Sequence, residues 1–209
     1  MQTSSLIRSS RVSGQIALAF ALIVGFSAPV AYAGVDFHGS FTAGAWFGGF
    51  NQSSGAQEAK FSTSVGPAFA AQLGIGYDIF FGGLQAHWFV PASDDSPHSH
   101  AASYYSLLGA HAGVVVPFVP ERRLEIYGGI EDGNYGLSGN PDPDYDGPAV
   151  MAGGVFYFTE LGAARIGLRF EYRRFNAIYD DAGKIPDGIS THAHLYLLGV
   201  TLGFGGGSK

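Results

Sequence analysis

The sequence has 209 residues, a net charge of −6 at pH 7 and no cysteine. The length suits one domain, and the acidic balance argues against a nucleic-acid-binding protein, which needs a basic surface. The lack of cysteine excludes disulfides and thiolate metal sites.

Residues 1–33 have the pattern of an export signal. Arg8 and Arg11 give a positive start, residues 16–26 form a short apolar run, and Ala31-Tyr32-Ala33 is a small-x-small cleavage sequence. The alternative is a transmembrane anchor helix, which the glycine, serine and proline near the end of the run disfavour. We predict cleavage, so that residues 34–209 form the mature domain. No later apolar run reaches the roughly 20 residues of a membrane helix, so only a closed barrel could place this domain in a membrane.

Eight later segments alternate apolar and polar side chains with a period of two. This period is typical of β-strands, because successive side chains point to opposite faces. The clearest segment reads Arg165-Ile166-Gly167-Leu168-Arg169-Phe170-Glu171-Tyr172-Arg173, with its charges at odd positions only. In chain order, the predicted strands are residues 35–49, 65–79, 84–90, 104–116, 124–131, 149–158, 165–173 and 191–204.

The polar faces of these strands hold charged residues, whereas the apolar faces hold none. The charged residues are Asp36, Asp78, Glu125, Glu131, Arg165, Arg169, Glu171 and Arg173. An Arg or Lys that faces lipid at mid-depth costs roughly 2–4 kcal/mol. We therefore predict that the apolar faces contact lipid and that the charged residues line an enclosed lumen.

The connections alternate between long and short. The long ones are residues 50–64, 91–103, 132–148 and 174–190, and the short ones are residues 80–83, 117–123 and 159–162. Four long loops on one side and three short turns on the other are typical of an outer-membrane barrel with periplasmic termini. The predicted fold is an all-β, eight-stranded antiparallel up-and-down transmembrane β-barrel, after a cleaved signal peptide.

Aromatic side chains gather near the strand ends, which predicts two interfacial girdles. The turn-side girdle comprises Tyr77, Phe80, Phe81, Phe118, Phe158 and Phe204. The loop-side girdle comprises Phe47, Trp88, Tyr172 and Tyr196.

The last predicted strand ends in Leu198-Gly199-Val200-Thr201-Leu202-Gly203-Phe204, which resembles the C-terminal strand signal of bacterial outer-membrane proteins. With the eight-strand plan, the chain resembles the small barrels of the outer-membrane protein A-like and opacity-like porin families. The resemblance implies location in the cell outer membrane and recognition of Phe204 by the barrel-assembly machinery. It implies no single activity, because members of these families have varied roles, including adhesion.

The lumen of an eight-stranded barrel is just wide enough for side chains to fill it. Strand polarity places Asp36, Asp78, Glu125 and Arg165 near the periplasmic end, Arg169 and Glu171 near the middle, and Glu131 and Arg173 near the outer mouth. We expect these charges to form a structural plug, because buried charges must pair. The alternative is a narrow gated pore, in which Arg169 changes partners to open a path.

Seven histidines raise the question of a metal site. His38, His87 and His111 are predicted to face the lumen as hydrogen-bonded fillers, with a zinc site as the alternative. The His98/His100 and His192/His194 pairs lie on the loop side, where we expect solvated or headgroup contacts, with weak metal capture as the alternative. We predict no metal and no cofactor.

The chain is predicted to be a non-enzymatic barrel that is structural or interacts through its four loops. A lipid A-modifying enzyme is one alternative, since His38-Gly39-Ser40 has a His-x-Ser spacing, although on an inward face. A soluble lipocalin-like barrel in the periplasm is another. The acidic residues of the loops are expected to keep the loops solvated. The alternative is that they contact a partner surface, or lipopolysaccharide through divalent cations. Expected partners are outer-membrane lipid, lipopolysaccharide and an unknown loop-binding molecule, without nucleic acid.

Overall fold

The computed structural model describes residues 35–91, 99–100, 102–119, 122–137, 144–162 and 164–205. These residues form eleven strands: β1 Val35–Ser54, β2 Gln57–Tyr77, β3 Phe80–Phe89, β4 Ser99–His100, β5 Ala102–Val119, β6 Arg122–Leu137, β7 Asp144–Leu161, β8 Ala164–Asn176, β9 Tyr179–Asp180, β10 Gly183–Lys184 and β11 Ile189–Gly205. The predicted export signal lies outside the described residues. Within the described ranges, no helix is long and apolar enough to cross a membrane.

The eight long strands close into a ring. Each pairs antiparallel with the next long strand of the sequence, from β1 through β2, β3, β5, β6, β7 and β8 to β11. β11 then pairs antiparallel with β1, from His38 opposite Gly205 to Ser54 opposite Ile189. This closure satisfies the backbone hydrogen bonds of both strands that would otherwise be edges. The predicted eight-stranded up-and-down barrel is confirmed.

The side chains of this barrel are sorted in the opposite way to those of a soluble protein. On β8, Leu168 and Phe170 are 52% and 51% exposed, whereas Arg169, Glu171 and Arg173 are 0% exposed. The outer wall repeats this apolar exposure on the other strands, through Ile75, Leu84, Ile126, Ile130, Val150, Leu198 and Val200. Apolar side chains outside and charged ones inside are the arrangement of a membrane-spanning barrel.

The strands extend further on the loop side than predicted. Residues 50–64, predicted as a loop, form a hairpin in which Ser54 lies opposite Gln57 and only Gly55 and Ala56 make the turn. β6 and β7 likewise extend into the predicted loop 132–148. The exposed apolar side chains form a band around the outer wall, which we call the apolar belt. The alternation of apolar and polar side chains ends at the edge of this belt, but the backbone pairing of the strands continues beyond it. Strand ends defined by that alternation were therefore too early.

Several aromatic rings lie outward near the strand ends, as predicted. On the loop side, the ring of Tyr196 lies 5.2 Å from Phe47 and 5.3 Å from Tyr172. Phe81 was wrongly predicted to face outward, since it is only 5% exposed and packs inside the barrel. β3 begins at Phe80 rather than at Leu84, which gives Phe81 the same inward parity as Gln85.

Candidate functional site

Four charged side chains meet in the middle of the lumen, and we call Glu131, Arg169, Glu171 and Arg173 the central ion cluster. The last three occupy alternate positions of β8 and share its inner face, while Glu131 comes from β6, two strands away in the ring. All four are buried. Two positive and two negative charges make the cluster neutral.

Glu171 joins the two arginines. Its Oε1 accepts hydrogen bonds from Arg169 Nε at 2.7 Å and from the Tyr127 hydroxyl at 2.6 Å. Its Oε2 accepts from Arg173 Nη2 at 2.5 Å. Arg169 also lies over the Tyr127 ring, with its guanidinium carbon 5.3 Å from the ring centroid. Glu171 therefore holds both cations through charge-assisted hydrogen bonds, the strongest type in proteins.

Glu131 completes the cluster on the side of β3 and β5. Its Oε1 accepts hydrogen bonds from Arg173 Nε at 2.8 Å and from the Tyr104 hydroxyl at 2.6 Å. Its Oε2 lies 2.8 Å from His87 Nδ1 and 3.3 Å from Gln85 Nε2. Both carboxylates are thus satisfied by several donors, which offsets the desolvation of their charges.

Two threonines link the central ion cluster to β1 and β11. Arg169 Nη1 donates to Thr42 Oγ1 at 3.2 Å, and this oxygen lies 2.7 Å from Thr201 Oγ1. The contacts from β1, β6, β8 and β11 together cross-link the barrel through its interior. The interior of an eight-stranded barrel is just wide enough for such side chains to fill it.

An apolar layer, which we call the outer layer, closes the lumen on the loop side of the ions. Its buried members include Trp46, Phe50, Phe89, Tyr104, Tyr135, Phe175, Leu195 and Leu197. Ile185, from the segment between β10 and β11, belongs to the same buried cluster. Tyr145 also belongs to it.

A smaller apolar cluster, the inner layer, lies on the turn side of the ions. It comprises Phe81, Tyr127, Met151, Val155 and Tyr157. The ring of His38 stacks on Phe81 with centroids 4.7 Å apart, and His111 lies 6.0 Å from the same ring. The lumen is therefore filled in three successive levels, apolar, ionic and apolar.

Inward glycines make room for these large rings. A Cβ at Gly203 would lie 2.6 Å from the Tyr157 hydroxyl oxygen, and one at Gly133 would meet the Tyr104 ring carbons at 2.6–2.7 Å. These contacts are closer than real Cβ atoms allow. Gly203 and Gly133 thus provide the space that aromatic residues of other strands occupy.

The remaining predicted lumen charges lie towards the turn side. Glu125 is buried and accepts from Arg123 Nη2 at 2.5 Å. Arg165 donates to Glu160 at 2.6 Å and to the Gly205 carbonyl at 2.7 Å. These residues form separate pairs, at a distance along the strands from the central ion cluster.

The two predicted aspartates differ from each other in placement. Asp36 is half-buried in β1, opposite Gly76. Asp78 does not line the lumen, because β2 ends at Tyr77 and Asp78 occupies the turn, exposed and with a φ of 56°. Aspartate tolerates this left-handed conformation better than most residues, which suits a turn position.

Phe204, the predicted assembly signal, lies in β11 between Gly39 and Ala164 of the neighbouring strands and is partly exposed. Its recognition by the assembly machinery stays a prediction.

Two important partners were missed in the sequence. Arg123 was assigned to a turn, although its odd number gives it the parity of Glu125. Tyr104 has the parity of the apolar face, but a bulge between Tyr105 and Leu108 reverses the alternation and turns Tyr104 inward. The alternation of side chains could have identified Arg123 as an inward residue, whereas no pattern in the sequence indicates the bulge.

The histidines do not assemble into a metal centre in the part of the chain that the structure describes, where no group of three or more His, Cys, Asp or Glu could hold an ion. His87 contacts Glu131, whereas His38 lies 3.5 Å from Glu125. The side chains of His98 and His100 lie outside the described part. The His38-Gly39-Ser40 motif faces inward, and Ser40 donates to Gln72 at 3.2 Å.

No protein-family model matches the sequence. No curated protein matches it either. Among solved structures, Neisserial surface protein A has a TM-score of 0.46 at 14% identity, covering 82% of this chain and 97% of that one. Ail, the attachment invasion locus protein of Yersinia pestis, has 0.43 at 15%, covering 80% and 98%. The outer membrane protease OmpT from Escherichia coli has 0.44 at 9%, covering 86% and 100%.

Proposed function

We propose that this chain is an integral outer-membrane barrel with a closed lumen, which serves a structural or surface-binding role and neither conducts nor catalyses. The observation that carries this proposal is the combination of an apolar outer wall with a neutral, fully buried ion cluster between two apolar layers. The outer wall suits hydrocarbon. The filled interior makes the barrel a rigid support for the residues at its outer end.

The buried contacts favour the structural plug over the gated pore. To open a path, Arg169 would have to leave Glu171 and Thr42 while the outer layer also moved aside. Breaking a buried ion pair leaves an uncompensated charge and costs about 3–5 kcal/mol. A change of partners at Arg169 alone would leave Trp46, Phe50 and Phe175 in place.

The placement of His38 and Ser40 favours the non-enzymatic role over lipid A modification. Both side chains are buried inside the barrel, whereas an acyl chain in the leaflet meets the outer wall. Ser40 has Gln72 as its hydrogen-bond partner rather than the imidazole of His38. A serine nucleophile needs a base within hydrogen-bond reach and an accessible substrate.

The outer ends of the strands are the proposed binding surface. Asp181 accepts a hydrogen bond from the backbone nitrogen of Asp144 at 3.0 Å, and Asp146 accepts from Asn134 at 2.8 Å. These contacts join the ends of β6 and β7 to the segment that follows β8. They create an ordered acidic surface above the belt, suited to a cationic partner or to divalent cations that bridge to lipopolysaccharide.

Purified, refolded protein is expected to give no discrete current steps in planar bilayers, because the lumen is filled at three levels. The Arg169→Ala variant is also expected to give no current steps, since both apolar layers remain. Heat-modifiable migration in gels would establish that each sample contains folded barrel. Stable steps from the wild-type protein would contradict the closed lumen, and steps from Arg169→Ala alone would support the gated pore instead.

A further inference from the structure

A group of polar side chains lies on the outer wall where β8 and β11 leave the apolar belt. Arg174 of β8 lies opposite His194 of β11, and Asn51 of β1 lies opposite His192 on the other side of β11. Alternation places Arg174 outside, exposed, whereas its neighbour Arg173 is buried in the lumen. The group therefore faces the surroundings of the barrel and is separate from the central ion cluster.

Arg174 differs from the other basic residues. Among the Lys and Arg side chains that the structure describes, Arg123, Arg165, Arg169, Arg173, Lys60 and Lys184 each lie within 4 Å of a carboxylate oxygen. Arg174 makes no ion pair or hydrogen bond within the same described ranges. Among the described residues, no carboxylate thus lies within ion-pair distance of its cation, at the edge of the lipid-facing wall.

His194 is held in place beside this cation. The Tyr172 hydroxyl lies 2.6 Å from His194 Nδ1, and the two rings stack with centroids 5.9 Å apart. When the phenol donates this hydrogen bond, the imidazole carries its proton on Nε2. No described residue accepts a hydrogen bond from that Nε2, so it is available as a donor.

The position of the group along the barrel axis indicates which part of the membrane it contacts. Immediately below it lie three members of the loop-side girdle, Phe47, Tyr172 and Tyr196, followed by the apolar Phe170 and Leu198. Aromatic girdles mark the level of the lipid headgroups. Arg174 and His194 lie one step further out, where the anionic groups of membrane lipids are their phosphates.

We propose that Arg174 and His194 form a binding site for the phosphate of a membrane lipid in the outer leaflet. The guanidinium supplies two parallel donors that match phosphate oxygens, and His194 Nε2 supplies a third. Tyr172 is a positioning residue that orients the imidazole. The phosphate belongs to a glycolipid or to a glycerophospholipid, since the same donors suit both.

The site is confined to one side of the barrel. Around the ring, β6 lies three strands from β11 and presents Asp132, exposed, on its outer face. On the near side, the acidic Glu58 of β2 is 3.1 Å from Lys60, which offsets its charge. Phosphate lipids would therefore gather against β8 and β11 rather than evenly around the wall. This inference rests on the proposed membrane location.

Native mass spectrometry of the folded full chain, released from mixed micelles, can test the site. The micelles would contain bisphosphorylated lipid A, phosphatidic acid, phosphatidylglycerol or diacylglycerol in turn. We expect preferential retention of phosphate-bearing lipid over diacylglycerol, and a loss of about fivefold in its affinity in Arg174→Gln. His194→Gln should weaken the binding of the same lipids. Lys184→Gln removes an equal charge from the loop and should leave the lipid affinity unchanged.

Retention of lipid A alone would assign the site to a glycolipid phosphate, and equal retention of all three phosphate lipids would assign it to the phosphate group in general. Equal retention of diacylglycerol, or unchanged affinity in Arg174→Gln, would overturn the site. Insertion into vesicles, measured by heat-modifiable migration, distinguishes the loss of the lipid site from the failure of the proposed function. A folded, inserted barrel without phosphate preference lacks only the lipid site, whereas a barrel that stays in the aqueous fraction contradicts both.

Discussion

Replacing Glu171 with glutamine is expected to destabilise the folded barrel by about 3–5 kcal/mol. The Glu171 carboxylate holds Arg169 and Arg173 at the same time, and both guanidinium groups are 0% exposed. The neutral amide would leave the cluster with two cations and one carboxylate among buried side chains. Urea unfolding in lipid vesicles, followed by the fluorescence of the two tryptophans, Trp46 and Trp88, measures the change.

Glu58→Gln provides the matched control for this substitution. Glu58 also pairs with a cation, at 3.1 Å from Lys60, but both side chains are more than half exposed. Surface pairs contribute about 0–1 kcal/mol, so this variant should unfold at nearly the wild-type urea concentration. If Glu171→Gln were as stable as Glu58→Gln, the central ion cluster would not be the structural centre of the lumen.

Leu168→Arg is expected to destabilise the membrane-inserted barrel by about 2–4 kcal/mol. Leu168 is 52% exposed on the outer wall, with Ile166 and Phe170 above and below it on the same face. A guanidinium there would lie in hydrocarbon without a partner. Refolding and urea titration in vesicles of a single lipid measure the loss.

Ile178→Arg serves as the control for position. Ile178 is 40% exposed as well, but it follows the end of β8 outside the apolar belt. An arginine near or beyond the interface costs about 0–1 kcal/mol. Equal stability of the Leu168→Arg and Ile178→Arg variants would mean that the wall around Leu168 faces water.

The alternation of side chains was sufficient to predict the ring of eight strands and its two faces. It predicted that Ile166, Leu168 and Phe170 lie outside while Arg169 and Glu171 lie inside, because one period of two runs through the whole segment. It failed where the strand ends or the register changes. Phe81 lies inside because β3 begins earlier, and Tyr104 lies inside because a bulge precedes Leu108.

The partners within the lumen were less predictable than the faces. Glu131 and Arg173 were expected near the outer mouth, apart from Arg169 and Glu171, yet all four share one cluster. Which inward residues meet depends on the tilt and stagger of the strands, and strand parity alone does not determine these quantities. The hydrogen bonds that Tyr104 and Tyr127 donate to the two carboxylates likewise depend on side chains that extend from other strands.

The lipid-facing wall can be tested most directly by single cysteine substitutions along β8, since the chain contains no cysteine of its own. Spin labels at positions 166 to 171 in the vesicle-inserted barrel would be exposed in turn to oxygen, which enters lipid, and to a water-soluble nickel chelate. We predict a period of two, with labels at 166, 168 and 170 reached by oxygen and shielded from nickel. Faster relaxation by nickel than by oxygen at these three positions would contradict a barrel that presents this face to the membrane.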